Sequence, residues 1–426
     1  MTQDESFQAD RMTRDELLVV EPRAAGLDVH KMQVTASVRL AVANSPPLAA
    51  VRVFPSDPPG LAELTGWLRG HGVTAATMEG TGVYWETPYR ALEAAGIRPQ
   101  LVHARHVKQI KGRKTDVSDS LWLARICQLG LAQPSYVPPP DFSALRQMCR
   151  YRRKIVADRA RIRNRMQKTL DREGLRVGGI LADLFGRNGR IVLDGLVEGH
   201  GPQRILGRLT PHVRAKADRL ARVLQAELEP HSLWRLRGLL QDFDAIAERI
   251  EELDRRVERA FADHRRTLDM LETLPGVARC SARAILAELG PEPTKVFPKV
   301  RSLTAWAGLC PGNNESAGQR RSGRIRRGNP MLRVTLTECA HGAARTKGSQ
   351  FHGCHRALTA RLGYKRATTA TAHKLLRVIY SMLRDDRPCI DPLIDYEKLF
   401  AGSNASRWLR MLARHDFLPL QPQAAA

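Results

Sequence analysis

Two aspartates stand three apart in KGRKTDVSDSLWLARI, residues 111–126: Asp116 and Asp119, at the start of an apolar-periodic run. Side chains three apart on a helix are neighbours, so both carboxylates would face one point. As first-turn acids they would cap backbone N–H groups and complement the positive end of the helix dipole. As oxygen ligands they would hold a cation. Two further acids bear on the choice. Asp28 interrupts the apolar run AAGLDVHKMQVTASVRLAV, and Glu79 ends the apolar run TAATMEG. A carboxylate in a buried strand is costly unless it is paired or binds a cation. Asp28, Glu79, Asp116 and Asp119, gathered at strand ends and one helix start, would suit Mg²⁺. Two such ions would activate a nucleophile and steady a leaving oxygen in phosphodiester cleavage.

The elements that must position these acids alternate. Residues 24–42 read as one strand turning into a second, AAVRVFP (49–55) as a third and GLAELTGWLRG (60–70) as a helix. TAATMEG (74–80) reads as a buried strand, ETPYRALEAAG as a helix, and RPQLVHA (98–104) as a strand before the helix that begins near Asp116. Such alternation predicts an α/β layer of mixed strand direction. Residues 1–20 read as a flexible N-terminus, 21–132 as the α/β domain, and the four prolines of QPSYVPPPDF (133–142) as a linker.

Charge narrows the partner. The 426 residues carry 68 Lys and Arg against 44 Asp and Glu, a net +24 that points to nucleic acid as the polyanionic partner. No apolar run is long enough to span a membrane, and MTQDESFQAD lacks a signal-peptide layout. Seven cysteines without a CxxC pair predict free thiols in a reducing cytoplasm. Cys339, His341, His352, Cys354 and His355 cluster like zinc ligands, but their spacing fits no common finger and their run reads as helix.

The region 143–265 reads as a basic helix followed by a coiled-coil segment. Residues 146–168 hold ten Lys or Arg, among them Arg150, Arg152, Arg153 and Lys154, and one acid, Asp158; this predicts a phosphate-facing helix. Leu239, Phe243, Ile246, Ile250, Leu253, Val257 and Ala260 form an a and d seam. It predicts a dimer or larger homo-oligomer, or a hairpin against the basic helix. LETLPGVARCSARAILAELG (271–290) has the layout of a helix-hairpin-helix, whose turn amides grip phosphate, with Ala278 where a second glycine is usual. In AWAGLCPGNNESAGQRRSGRIRRGNPMLR (305–333), six arginines from Arg320 to Arg333 include Arg320, Arg321, Arg324, Arg326 and Arg327. No acid lies among them, and glycines 318, 323 and 328 keep the loop pliable.

The phrases GLDVHK, MEGTGVYW and KTDVSDSLWLARI resemble the N-terminal domain of IS110-family transposases. The resemblance implies a RuvC-like ribonuclease H fold for that domain, with Asp28, Glu79, Asp116 and Asp119 as its DEDD metal set. It also implies that the preceding basic run, with Lys111, Arg113 and Lys114, holds phosphate near the metal. The passage 305–333 is similar to the serine transposase domain of the same family, assigned here to residues 266–395 as a mainly α domain with the helix-hairpin-helix-like element; 396–426 form a C-terminal tail. Ser316 matches the family's nucleophile, with Ala317 in place of a glycine and Ser322 as a rival six residues on. A serine hydroxyl needs a base or an ion, plus cations for the developing phosphorane charge. The arginines would supply the cations, and the metal acids the base where the two domains meet in one chain or across subunits.

The resemblance thus implies an insertion-sequence transposase or recombinase. It would cut and rejoin donor and target DNA through a transient phosphoserine, as a dimer or tetramer, guided by a non-coding RNA from the element. The competing enzyme is a RuvC-like, metal-dependent junction nuclease in which water attacks. A different class altogether is a non-catalytic nucleic-acid-binding protein or RNA chaperone whose acids are structural.

Overall fold

The computed structural model describes residues 8–9, 19–43, 45–80, 82–103, 107, 119–311, 314–316, 319–322, 325, 327–390, 396–415 and 417. The chain divides into two compact units between Val137 and Pro138, inside the proline-rich stretch.

The first unit is a mixed sheet. Its six strands are β1 (Gln8–Ala9), β2 (Arg23–Val29), β3 (Gln33–Val42), β4 (Ser45–Pro55), β5 (Ala75–Glu79) and β6 (Arg98–Val102). Their order is β1-β4-β3-β2-β5-β6. β2, β3 and β4 form an antiparallel meander, whereas β5 and β6 run parallel to β2. The parallel strands follow helical crossovers α1 (Pro58–Gly70) and α2 (Glu86–Ala94), as parallel pairing requires. Asp57 caps α1 by accepting a hydrogen bond from the Gly60 amide at 2.8 Å.

Alternation along the strands sorts the two faces. Leu27, Val34, Met78 and Leu101 pack with Leu64 and Leu68 of α1 and Leu92 of α2. Each fully buried side chain of this size contributes about 1.5–3 kcal/mol. The opposite face holds Ala24 and Ala75 against Cys127 of α3 (Asp119–Gln128). Gly26 is what lets α3 approach: a Cβ there would lie 2.0 Å from the Ser120 carbonyl oxygen and 2.2 Å from the Ala124 nitrogen. The elements expected from the sequence in this unit are present, and the mixed sheet with a mostly helical remainder fits the RuvC-like expectation.

Among the described residues, the second unit is helical apart from one hairpin and an isolated bridge. Its long helix α4 (Pro140–Arg172) starts inside the proline-rich stretch, with Pro140 at a first-turn position where a missing N–H costs nothing. Then come α5 (Arg187–Val197), α6 (Pro202–Gly207), α7 (Pro211–Arg214), α8 (Ala217–Val223) and the long α9 (Pro230–Ala260). Residues 178–201, which hold seven glycines, are partly helical, and some of these glycines are packing positions: a Cβ on Gly189 would lie 2.1 Å from the Leu184 carbonyl oxygen and one on Gly195 2.7 Å from Ile205 Cγ1.

The a and d seam read as an assembly surface packs within the chain. Leu236 and Leu240 of α9 join Ile162, Met166 and Leu170 of α4 in one core, with Leu239, Phe243 and Ile246 against its edge. Farther along α9, Ile250, Leu253 and Val257 are buried too. Of the two readings of the stripe, the hairpin against the basic helix is the one seen.

The rest comprises α10 (Arg265–Glu272), α11 (Arg279–Leu289), α12 (Pro293–Val296) and α13 (Val300–Trp306). The hairpin β7 (Asn314–Ser316) and β8 (Gln319–Ser322) follows, then α14 (Pro330–Arg345), α15 (Gln350–Leu362), α16 (Tyr364–Asp385) and α17 (Tyr396–Arg414). The stretch set apart as a C-terminal tail thus carries a helix.

Candidate active site

Asp28 and Glu79 lie on the α3 side of the sheet, because each shares strand parity with the residues packed under that helix, Ala24 and Gly26 on β2 and Ala75 on β5. They come one step after Leu27 and Met78, the last registered pair of the parallel strands β2 and β5. Both are therefore at the carboxyl ends of adjacent parallel strands, partly open to solvent. Asp119 opens α3 and is exposed. The start of α3 is fixed over β3 by a buried Ser37 to Ser120 hydroxyl contact of 2.7 Å, and its end by Arg39 and Gln128, which are 3% and 1% exposed. His30 Nε2 lies 3.1 Å from Asp28 Oδ2.

Three of the four expected acids are thus placed by elements of one face. Asp116, Lys111, Arg113 and Lys114 lie outside the described residues. Among the described residues no group of three His, Cys, Asp or Glu side chains closes as a metal cluster. The donors present are hard carboxylate oxygens, which suit a divalent cation of the Mg²⁺ kind rather than a soft one.

Ser316 is the last residue of β7 and pairs in register with Gln319 of β8; Glu315 pairs with Arg320 and Asn314 with Ser322. The serine and Arg320 and Arg321 therefore belong to the tip and returning strand of one short hairpin. Arg324 and Arg326 lie outside the described residues, and Arg327 is exposed. A bridge between Pro311 and Ile325 joins the two legs below the hairpin.

The basic helix departs from a plain phosphate-facing surface. The Arg150 guanidinium forks onto Glu288 of α11, Nε to Oε1 at 2.7 Å and Nη2 to Oε2 at 2.9 Å. Arg152 pairs with Asp254 of α9, and Arg153 with Glu338 of α14. These three cations are occupied by the chain's own acids, whereas Lys154 is exposed.

The Pro-Gly turn between α10 and α11 is also engaged. Gly276 has φ +81°, and a Cβ on it would lie 2.3 Å from the Cys339 carbonyl oxygen and 2.4 Å from the Ala343 nitrogen of α14. The glycine serves a backbone crossing with α14, so that side of the turn is closed to phosphate. The cluster Cys339 to His355 serves packing: His341 Nδ1 lies 2.9 Å from the Tyr364 hydroxyl, and His352 Nδ1 lies 2.7 Å from the Ala344 carbonyl.

Sequence reading missed Glu288 and Asn329. Glu288 is 2% exposed, and Asn329 donates its side-chain amide to Glu288 Oε2 at 2.7 Å. Asn329 Oδ1 in turn accepts from the Met331 and Leu332 amides at 3.1 Å, capping α14. A lone acid in the apolar run AILAELG and the pair Asn-Pro before a helix were the available signals.

A family model described as a transposase, of the DEDD type of the IS110 group, matches residues 25–173. A second, the transposase IS116/IS110/IS902 family, matches residues 268–356. The chain belongs to the IS110-family transposases. The transposase is 26% identical over 313 residues to a probable family 20 transposase of Pseudomonas aeruginosa, covering 71% of this chain and 81% of that one. It is 32% identical over 132 residues to the transposase for insertion sequence element IS1328 of Yersinia enterocolitica, covering 30% and 39% of the two chains. The first model spans Asp28, Glu79 and Asp119, and the second spans Ser316. As a DNA transposase of an insertion sequence it acts on DNA, and its DEDD domain is of a divalent-metal-dependent nuclease type. Among the described residues no helix is long and apolar enough to cross a membrane.

Proposed function

We propose that this transposase cuts and rejoins DNA strands through Ser316. Its Oγ attacks a phosphodiester, the new Oγ–P bond replaces the bond to one nucleotide, and that nucleotide's oxygen departs with the proton. Attack by a second strand's hydroxyl reverses the exchange and releases the serine. The observation that carries this reading is the position of Ser316 at the end of β7, across from Gln319 and followed by Arg320 and Arg321 on the returning strand. Guanidinium groups there would stabilise the charge that develops on the phosphorane.

Asp28, Glu79, Asp116 and Asp119 would hold Mg²⁺. The shared face of Asp28, Glu79 and Asp119 supports that role. When bound, the ion supplies Lewis-acid stabilisation of the phosphoryl oxygens. Asp28 and Glu79 at the strand ends and Asp119 at the helix start would hold it. Donor and target would be chosen by an element-encoded non-coding RNA, with Lys154 and the arginine strap as its phosphate contacts. The working assembly would be a dimer or tetramer.

Changing Ser316 to Ala tests the reading. Loss of cleavage with DNA binding kept, together with a DNA adduct on Ser316 in the parent by mass spectrometry, is the expected result. Full-rate cleavage by the Ala variant would sink it and leave the water-using nuclease.

A further inference from the structure

A groove of about 250 Å³ opens at the foot of the serine hairpin, between α14, α16 and the strap at Ile325. Its α14 wall is one helical stripe: Arg333, Thr337 and His341 follow at four-residue steps, and Thr369 of α16 faces them. Glu338 also lines the groove, but Arg153 of α4 neutralises it. The field in the groove is therefore that of Arg333. Arg345, one further turn along the same stripe, and Lys365 and Arg366 at the start of α16 are all exposed.

Aromatic surface lies beside these cations. Tyr364 is 52% exposed, and its ring stacks on His341 with centroids 5.6 Å apart and planes 24° apart. The Tyr364 hydroxyl lies 2.9 Å from His341 Nδ1, which fixes the imidazole at the groove wall. His355 closes on the same tyrosine edge-on, at 5.3 Å. Ile325 and Val334, 40% and 41% exposed, add apolar rim. A cation groove flanked by a braced, half-exposed aromatic ring matches the chemistry of a nucleotide, with its phosphate on the guanidinium and its base on the ring.

We propose that this groove binds one nucleotide of the DNA strand next to the serine hairpin, its phosphate against Arg333 and His341 and its base against Tyr364. The placement next to the reacting strand rests on Ser316 being the nucleophile; the binding itself does not.

The experiment is fluorescence anisotropy of a labelled single-stranded oligonucleotide on the full chain carrying Ser316→Ala, so that no cleavage intervenes. Y364A is expected to weaken binding by about tenfold or more, the range of one lost base–aromatic stack. Y364F, which restores the ring, should recover most of it. R333Q should weaken binding and lower the slope of log affinity against log salt by about one. Tyr364 and Arg333 are not core positions, so each variant should melt with the parent, and Arg333→Gln is read independently if Tyr364→Ala does not. Parent affinity and parent salt slope in both variants would overturn the proposal, whatever Ser316 does. Full-rate cleavage by the Ser316→Ala chain with these binding effects intact would instead tell against the serine reading alone.

Discussion

Asn329, at the exit of the arginine strap, donates its side-chain amide to the buried carboxylate of Glu288 at 2.7 Å. The same carboxylate takes the Arg150 fork from α4 and lies 3.2 Å from Arg146 Nε. One buried acid thus ties the basic helix, α11 and the foot of the serine hairpin together. Removing it would take that acceptor from the Arg150 guanidinium and the Asn329 amide, whereas Arg146 keeps the backbone carbonyls of Ala287 and Glu288.

Glu288→Ala should therefore cost about 3 kcal/mol, the lower end for breaking a buried pair. The lower end applies because Arg150 is 41% exposed and regains water. Urea unfolding followed by circular dichroism measures it. A change under about 0.5 kcal/mol, the scale of an ordinary surface substitution, would show that the network holds nothing together.

Gly26→Ala changes no carboxylate, yet it should disturb the face that carries Asp28, Glu79 and Asp119. The added methyl would lie 2.0 Å from the Ser120 carbonyl, so α3 must shift away from β2 and take Asp119 with it. Overpacking of this kind costs about 1–3 kcal/mol. Thermal melting should show the loss, and strand cleavage should fall with it; unchanged cleavage would mean that the seating of α3 does not set the site.

Asp28→Asn should abolish cleavage while leaving DNA binding close to the parent's. Loss of a metal ligand removes several kcal/mol of transition-state stabilisation, a factor of about a hundred or more in rate. Chelation of divalent ions should do the same to the parent, and added Mg²⁺ should reverse it. Gel-based cleavage and anisotropy on one preparation read both quantities; full cleavage by the Asn variant would return Asp28 to a structural role.

Thiol labelling should rank the cysteines. Cys280 is exposed, whereas burial pushes the Cys127 thiol up to about 11 and the Cys149 thiol up to about 12, the latter with Glu288 adding to it. Thiolate is the reactive form, so iodoacetamide near pH 8 should modify Cys280 well before either. Peptide mass spectrometry gives the order, and early labelling of Cys149 would contradict its burial.

Burial, reinforced by His341 and His352, holds the His355 imidazole below its usual pKa. The unfolded chain then binds the proton more readily, so stability is complete above about pH 6.5 and falls as pH drops toward the lowered folded value. Urea midpoints at pH 7.5 and 5.5, chosen to bracket about 6.5, should differ in that sense. His355→Gln should flatten the difference.

Much of the first unit was legible because its signals are local. Short apolar runs marked β2 and β5, and an acid in an apolar strand announced Asp28. The second unit was less so, because its partners are far apart in sequence. The ten cations of residues 146–168 looked like one kind of surface, yet Arg150, Arg152 and Arg153 face acids 138, 102 and 185 residues away. The a and d seam was legible as a stripe, but a stripe does not say which helix fills it. Gly276 stands in the sequence as one half of a Pro-Gly turn, and the backbone it approaches is that of α14 at Cys339 to Ala343. Only the tertiary fold brings that helix there.

The two glycines that flank the arginine strap also meet: a Cβ on Gly328 would lie 2.3 Å from the Gly308 nitrogen, and the Asn329 amide donates to the Trp306 carbonyl at 3.0 Å. Entrance and exit of the strap are thus clamped to each other before the fold continues. The chain thus leaves α13 and returns to α14 through a single point, and that point pins the two helices to each other at the base of the serine hairpin.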